Sequence, residues 1–356
     1  MSLENVFMGK KVVQQIYLKN SLIYQSKGWE TLPSAPQVLW TKNFGSVENY
    51  PWDCAVDQEN NIYIVYSNRI YKISSEGVLI WKKQMSGLYK ICIDQNNNIY
   101  LAQISAFEIN DSSNSAIINQ IDSNGNVLNK IKVHGYLTNV ITGFTFDRDY
   151  LYISSIYNPD GTNIMLYRVD KDLKNSVNLG YNGTTSMDNI VTSLDCPYIY
   201  YGTDTMYQIK KEGITVSKPT KIKDLLSIKN IIIDNLGNVI FSNEHYTYKY
   251  NLASQQITEM PIVSNEVSKS ICLDYQKNLY SLNLHLSNSP STANLVKNSS
   301  DGTLIYNTQI VVNDSYIGLD NSMLIADNNG NIYYAYQNDN KELLITKIIN
   351  LVKKGN

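Results

Sequence analysis

Apolar and polar residues alternate along this chain in short runs. "NIYIVY", "RIYKIS", "NIYLAQ" and "NIYYAY" place Ile, Val or Tyr at alternate positions, and Asn, Asp and Gly gather at the breaks. Period-two alternation rich in β-branched and aromatic residues predicts strands joined by tight turns.

The runs recur as larger units. Each begins with an apolar residue, an Asp, a few turn residues and an alternating strand: "VDQENNIYIVY", "IDQNNNIYLAQ", "FDRDYLYISSI", "LDCPYIYYGT", "IDNLGNVIFSN", "LDYQKNLYSLN" and "ADNNGNIYYAY". The signature residues are Asp57, Asp94, Asp147, Asp195, Asp234, Asp274 and Asp327, spaced by 45 residues on average. That is near the span of one four-stranded propeller blade. In a hairpin between the first two strands, Asp and Asn side chains bond nearby amides, and Asn or Gly accepts positive φ. We therefore assign the signature residues to turn chemistry rather than to a ring of carboxylates.

Each unit continues in one order, as in "NIYIVY", "RIYKIS", the turn "SEG" and "VLIWKKQ". Seven sets of strands A, B and C can be counted. Only six are followed by a D strand: "VLIWKKQ", "VLNKIKV", "KNSVNLG", "ITVSKPT", "ITEMPIV" and "LIYNTQI". The last unit ends at "LLITKIINLV" without one. Its missing strand is expected in "QVLWTKN", residues 37–43, which resembles "VLIWKKQ" and follows no A–B–C set. Joining the two ends of the chain in one sheet leaves the ring no open seam. The expected fold is all-β, a seven-bladed propeller of four-stranded blades over 37–356, closed by an N-terminal outer strand.

Residues 1–36 precede the ring. The runs "VFM", "VVQQIYL" and "SLIYQ", broken at "GKK" and "KNS", predict a three-stranded β appendage too small to bury much on its own. "ETLPSAP" reads as a connector. The pattern carried by Phe7 to Gly9, Val12, Val13, Ile16 to Leu18, Leu22 to Tyr24 and "GWETLPS" resembles N-terminal segments of tail proteins from phages and prophages of Gram-positive bacteria. The resemblance implies that this segment docks to other phage tail proteins through Phe7, Val13, Ile16, Tyr17, Leu22 and Tyr24. It also implies a non-enzymatic virion protein, with the propeller free to bind a partner or a host-surface glycan. The blades are similar to the broad "D-x-x-G-N-hY" class of bacterial propellers, whose functions run from lyases to plain scaffolds, so this second likeness bears on fold alone.

Composition narrows the chemistry. Hydrophobic residues make up 43% and charged residues 17% of 356 positions, with a net charge of −2. The densest basic runs, "WKKQ" and "LVKKGN", are short, so no nucleic-acid footprint is expected. No run approaches the ~18 apolar residues of a spanning helix, and "MSLENVFMGKKVVQQ" lacks the layout of a secretion signal. Synthesis in the cytoplasm is expected, with the virion as destination or the cytoplasm itself as the alternative. The four cysteines form no CxxC pair and the three histidines are scattered, which argues against zinc sites and a disulfide framework. "DNNGN" and "DSNGN" lack the terminal Glu of an EF-hand loop. No GxSxG, HExxH or P-loop pattern occurs, and no cofactor is called for.

The elaborate face is the one bearing the B–C and D–A loops, where "SAFEINDSSNSA", "YNPDGTN", "HLSNSPSTANL", "HGYLTNV", "GYNGTTSMDN" and "VNDSYIGLDNS" are long. Candidate ligand contacts there are Phe107, Tyr136, Tyr157, Asp160, Tyr181, His285 and Tyr316, aromatic or polar groups able to stack on or bond to a sugar. A homo-oligomer held through residues 1–36 is a further partner option. The alternatives to the virion reading are a cellular binding or scaffold propeller and a propeller lyase or hydrolase.

Overall fold

The alternating pattern folds as written. In a computed structural model the chain is all-β, with seven four-stranded blades arranged in a ring. The structure describes residues 6–8, 11–13, 15–18, 21–25, 29–31, 36–47, 51–66, 68–104, 114–137, 141–156, 164–179, 189–202, 204–212, 215–224, 228–234, 237–243, 246–260, 266–274, 276–285, 292–311, 322–338, 340–349 and 351–353.

Blade one runs A to D as Asp53–Val56, Ile62–Tyr66, Arg69–Ile73 and Leu79–Gln84. Blade two is Leu88–Ile93, Ile99–Ile104, Asn114–Ile121 and Val127–Leu137. Blade three is Ile141–Phe146, Tyr150–Ile156, Ile164–Asp170 and Ser176–Asn178. Blade five is Asn230–Ile233, Val239–Ser242, Thr247–Asn251 and Gln256–Met260. Blade six is Glu266–Leu273, Leu279–His285, Thr292–Asn298 and Leu304–Val311.

Blade four departs from the expected plan. Its A strand shrinks to a bridge between Val191 and Tyr200, and its B and C strands are Tyr198–Gly202 and Thr205–Glu212. The outer strand expected at "ITVSKPT" is split: Thr215–Val216 pairs with the end of C, and Thr220–Asp224 with its beginning. Pro219 lies between the two pieces and has no N–H for a ladder.

Blade seven is made from both ends of the chain. Met323–Ala326, Ile332–Gln337 and Glu342–Ile349 are completed by Gln37–Ser46, which pairs antiparallel from Glu342↔Ser46 to Ile349↔Gln37. The Thr41 and Thr346 hydroxyls meet at 2.9 Å across this pair. The pairing then goes further than expected. At the entry to the predicted connector, Trp29–Thr31 pairs with Leu351–Lys353. The N-terminal appendage also differs from the expected three strands. Val6–Met8 pairs with Lys11–Val13 and Gln15–Leu18 with Ser21–Gln25, so "VVQQIYL" is shared between two hairpins.

The core lies between blades, each seam holding its own buried apolar cluster. The seam between blades seven and one buries Val47, Ile62, Ile64, Tyr66, Tyr71, Ile73, Tyr333, Ala335, Leu343 and Ile345. The seam between five and six is thinner, with Ile240, Met260, Ile271 and Leu279. A D strand also leans on the C–D turn of the following blade. Gly77 (φ +74) and Gly125 (φ +76) admit this approach. A Cβ on Gly77 would lie 2.9 Å from Trp40, and one on Gly125 3.0 Å from Trp81.

Candidate binding surface

The signature carboxylates are occupied by their own turns. Asp57 Oδ1 accepts the amides of Glu59 at 2.9 Å and Asn61 at 2.8 Å, while Oδ2 accepts Asn61 Nδ2 at 2.9 Å and the Tyr63 hydroxyl at 3.2 Å. Asp274 and Asp327 repeat the set with Asn278 and Tyr280, and with Asn331 and Tyr333. The fourth turn residue takes positive φ at Asn60, Asn97, Gly237, Lys277 and Gly330. The strand tyrosines thus do more than fill space. Burial, reinforced by the neighbouring carboxylate, pushes the Tyr63, Tyr152, Tyr280 and Tyr333 hydroxyls far above their ordinary range, so they stay protonated and donate.

Lysines complete the unit. Lys72, Lys297 and Lys347 stand opposite Tyr63, Tyr280 and Tyr333 across the B–C ladder, with Nζ 5.1–5.5 Å from the ring centroids. Burial lowers the Lys297 and Lys347 ammonium groups, against the pull of Asp274 and Asp327. Asp147 receives its lysine from the next blade: burial opposes its charge, but Lys211 Nζ at 2.7 Å and the Tyr152 hydroxyl at 2.8 Å hold it below the usual carboxylate range.

Asp195 breaks the pattern. Its side chain is 73% exposed and pairs with Arg148 at 2.7 Å instead of capping a turn. With strand A of blade four reduced to the Val191–Tyr200 bridge, Asp195 does not directly follow a paired strand A as its counterparts do.

Neighbouring A–B turns are joined around part of the ring. Asn328 N–H donates to Asn60 Oδ1 at 3.0 Å, Gln58 N–H to Asn97 Oδ1 at 3.1 Å, and Arg148 N–H to the Leu194 carbonyl at 3.3 Å. Among the described residues, no group of three His, Cys, Asp or Glu stands close enough to hold a metal ion. All four cysteines are free thiols, and burial raises each of them above its ordinary value.

The loop-face candidates fare unevenly. Phe107, Tyr157, Asp160, Tyr181 and Tyr316 lie outside the described residues. Tyr136 and His285 belong to strands rather than loops, in Val127–Leu137 and Leu279–His285. The reason for Tyr136 is that strand D of blade two outruns its alternating core "VLNKIKV", with Leu137 pairing Asn114 beyond a bulge. Backbone placement is all that is described for these two and for Phe7, Val13, Ile16, Tyr17, Leu22 and Tyr24, which sit in the two N-terminal hairpins. The same face carries polar groups where A strands start and B strands end: Thr142 and Ser154 share a hydrogen bond at 2.9 Å, and Asn230 donates to Ser242 at 3.2 Å.

A surface unforeseen from the sequence lies on the outer rim. Leu39, Ile80, Leu128 and Ile305 are each the extra residue of a β-bulge near the start of a D strand, in blades seven, one, two and six. All four are exposed, by 55, 48, 57 and 39%. A bulge sets two residues against one on the partner strand, and here it turns consecutive aliphatics outward. The doubled aliphatics in "VLW", "VLIW", "VLN" and "LIY" were the available signal, since they violate strict alternation.

The fold is a seven-bladed β-propeller. No protein-family profile and no curated protein matches the sequence. Among solved structures, the chain is similar to the WD40 β-propeller domain of Doa1, with a TM-score of 0.60 at 13% identity, covering 88% of this chain and 97% of that one. It is also similar to a chain of the mitotic checkpoint complex, with a TM-score of 0.61 at 9% identity, covering 87% of this chain and 93% of that one. At such identities the likeness carries the fold alone.

Proposed function

We propose that the chain is a non-catalytic scaffold that binds other proteins through its propeller surface. The observation that carries this reading is the fate of the repeated titratable groups. Asp57, Asp274 and Asp327, with their tyrosines, hold turns together, and Lys72, Lys297 and Lys347 stand over those tyrosine rings instead of converging on a reacting centre. Propellers of like fold include a chain of the mitotic checkpoint complex, a protein assembly, which supports the same direction. The test is cross-linking mass spectrometry on the tagged full chain purified from its own cells. Stoichiometric protein companions cross-linked to the blades are expected. A chain that runs alone and cleaves a polysaccharide would overturn the reading in favour of the lyase.

A second reading, a phage-tail component, rests on the sequence resemblance of residues 7–34. Its test is mass spectrometry of phage-like particles induced from the source cells. Peptides of this chain in proportion to tail proteins would support it, and particles lacking the chain while the cytoplasm holds it would end it.

A further inference from the structure

We propose that the outer rim of blades seven, one and two is a docking surface for an acidic amphipathic segment of another protein. This rests on the scaffold reading above and names the site and the partner chemistry.

The three outer strands are built alike. Gln37–Ser46, Leu79–Gln84 and Val127–Leu137 each lie at the outer edge of their sheet. Each opens on an exposed aliphatic pair, Val38–Leu39, Val78–Leu79 and Val127–Leu128, at 39–58% exposure. The bulges at Leu39, Ile80 and Leu128 recur at equivalent positions in consecutive blades, so the outward aliphatics belong to the architecture of this arc. On blades three, four and five, the exposed large apolar residues do not include any from the outer strands. Adjacent exposed aliphatics on neighbouring elements mark interaction surfaces.

Charge selects the partner. The same three strands carry Lys42, Lys82, Lys83, Lys130 and Lys132 and no Asp or Glu, in a chain whose net charge is −2. The outer strands of blades four and five include Asp224 and Glu259. Lys42 and Lys83 are committed to the next blade's turn, bonding the Glu76 carbonyl and Asn126 Oδ1 at 2.8 Å. Lys82 and Lys130 point to solvent. A partner that presents apolar side chains to the bulges and carboxylates to these lysines satisfies both features.

Two other occupants fit less well. Residues 1–36 hold four lysines and two glutamates, so the chain's own hairpins, or those of a second copy, bring like charge to a basic arc. A membrane would first meet the C–D turns beside the aliphatics, and these carry Glu76 and Asp122. The bulges also twist the strand edge away from simple strand addition, which leaves side-chain contact as the mode.

The test is fluorescence anisotropy of the full chain against a labelled amphipathic peptide of about 20 residues built from Leu and Glu, with a Leu/Lys peptide as control. Saturable binding of the acidic peptide is expected, weakened by added salt. It should fall about tenfold in K82E/K130E and again in I80S/L128S, with K174E on blade three unchanged. All three variants should keep the parent melting temperature. The proposal is overturned if the acidic peptide does not bind saturably, if the basic peptide binds as well, or if the rim variants leave binding unchanged. It is also overturned if those variants act instead on phosphatidylserine vesicles or on self-association in the ultracentrifuge. Cross-linked companions that persist in K82E/K130E would reject the rim and leave the scaffold reading standing. Absence of companions on the parent chain would reject the scaffold reading, while the titration still reports on the rim.

Discussion

The seam between blades seven and one can be laid over the seam between blades one and two. The first is assembled from strands made at opposite ends of the chain, the second from continuous chain. In both, a Trp-x-Lys from an outer strand covers the next C–D turn: Trp40 and Lys42 over Gly77, Trp81 and Lys83 over Gly125. In both, a strand-C lysine reaches a carbonyl of that turn, Lys347 to Ser75 at 2.8 Å and Lys72 to Ser123 at 3.2 Å. One difference lies at the tryptophans. Trp81 Nε1 donates to the Ser123 carbonyl at 2.9 Å, while Trp40 Nε1 is buried without a partner among the described residues. Noncovalent closure thus reproduces the continuous seam almost group for group, because packing and hydrogen bonding respond to geometry and not to chain connectivity.

The largest expected effect tests whether the closing strand is equal to the others. Removing residues 37–46 opens blade seven and exposes the ladder edge of Glu342–Ile349 along with the cluster around Ile345. We expect loss of the cooperative thermal transition, read by circular dichroism. A truncated chain that melts like the parent would show that the ring does not depend on closure.

A smaller contrast sets blade seven against blade four. Asp327→Ala leaves the Asn329 and Asn331 amides, the Asn331 side chain and the buried Tyr333 hydroxyl without their acceptor in a half-buried turn, and should cost about 3 kcal/mol. Asp195→Ala removes an exposed ion pair and should stay within about 0.5 kcal/mol. Equal losses in urea titrations would mean that the two signature residues do the same work after all.

The smallest effect isolates the missing hydrogen bond. Trp81→Phe should cost about 1 kcal/mol more than Trp40→Phe, since only the former gives up a partnered indole N–H. A larger loss at Trp40 would break the equivalence of the two seams.

These contrasts also mark what the sequence could disclose. Blade count, closure and the turn role of six signature residues were legible, because each rests on local chemistry repeated at a regular spacing. Asp195 looked like its fellows, as the motif does not record that strand A would shrink to the Val191–Tyr200 bridge. The split outer strand of blade four and the two N-terminal hairpins depend on pairings that alternation alone does not specify. The rim was hidden for a similar reason. A doubled aliphatic such as Leu128 reads as core until the register shows it to be a bulge.

Closure has a consequence for biosynthesis. Thr41 meets Thr346, 305 residues further on. At the ~5–20 residues per second of translation, the closing strand waits roughly 15–60 s for its partner. During that interval "VLWTKNF" is an unpaired, aggregation-competent strand. Its survival depends on how quickly blades one to six gather behind it and on whatever shelters the nascent chain in the cell.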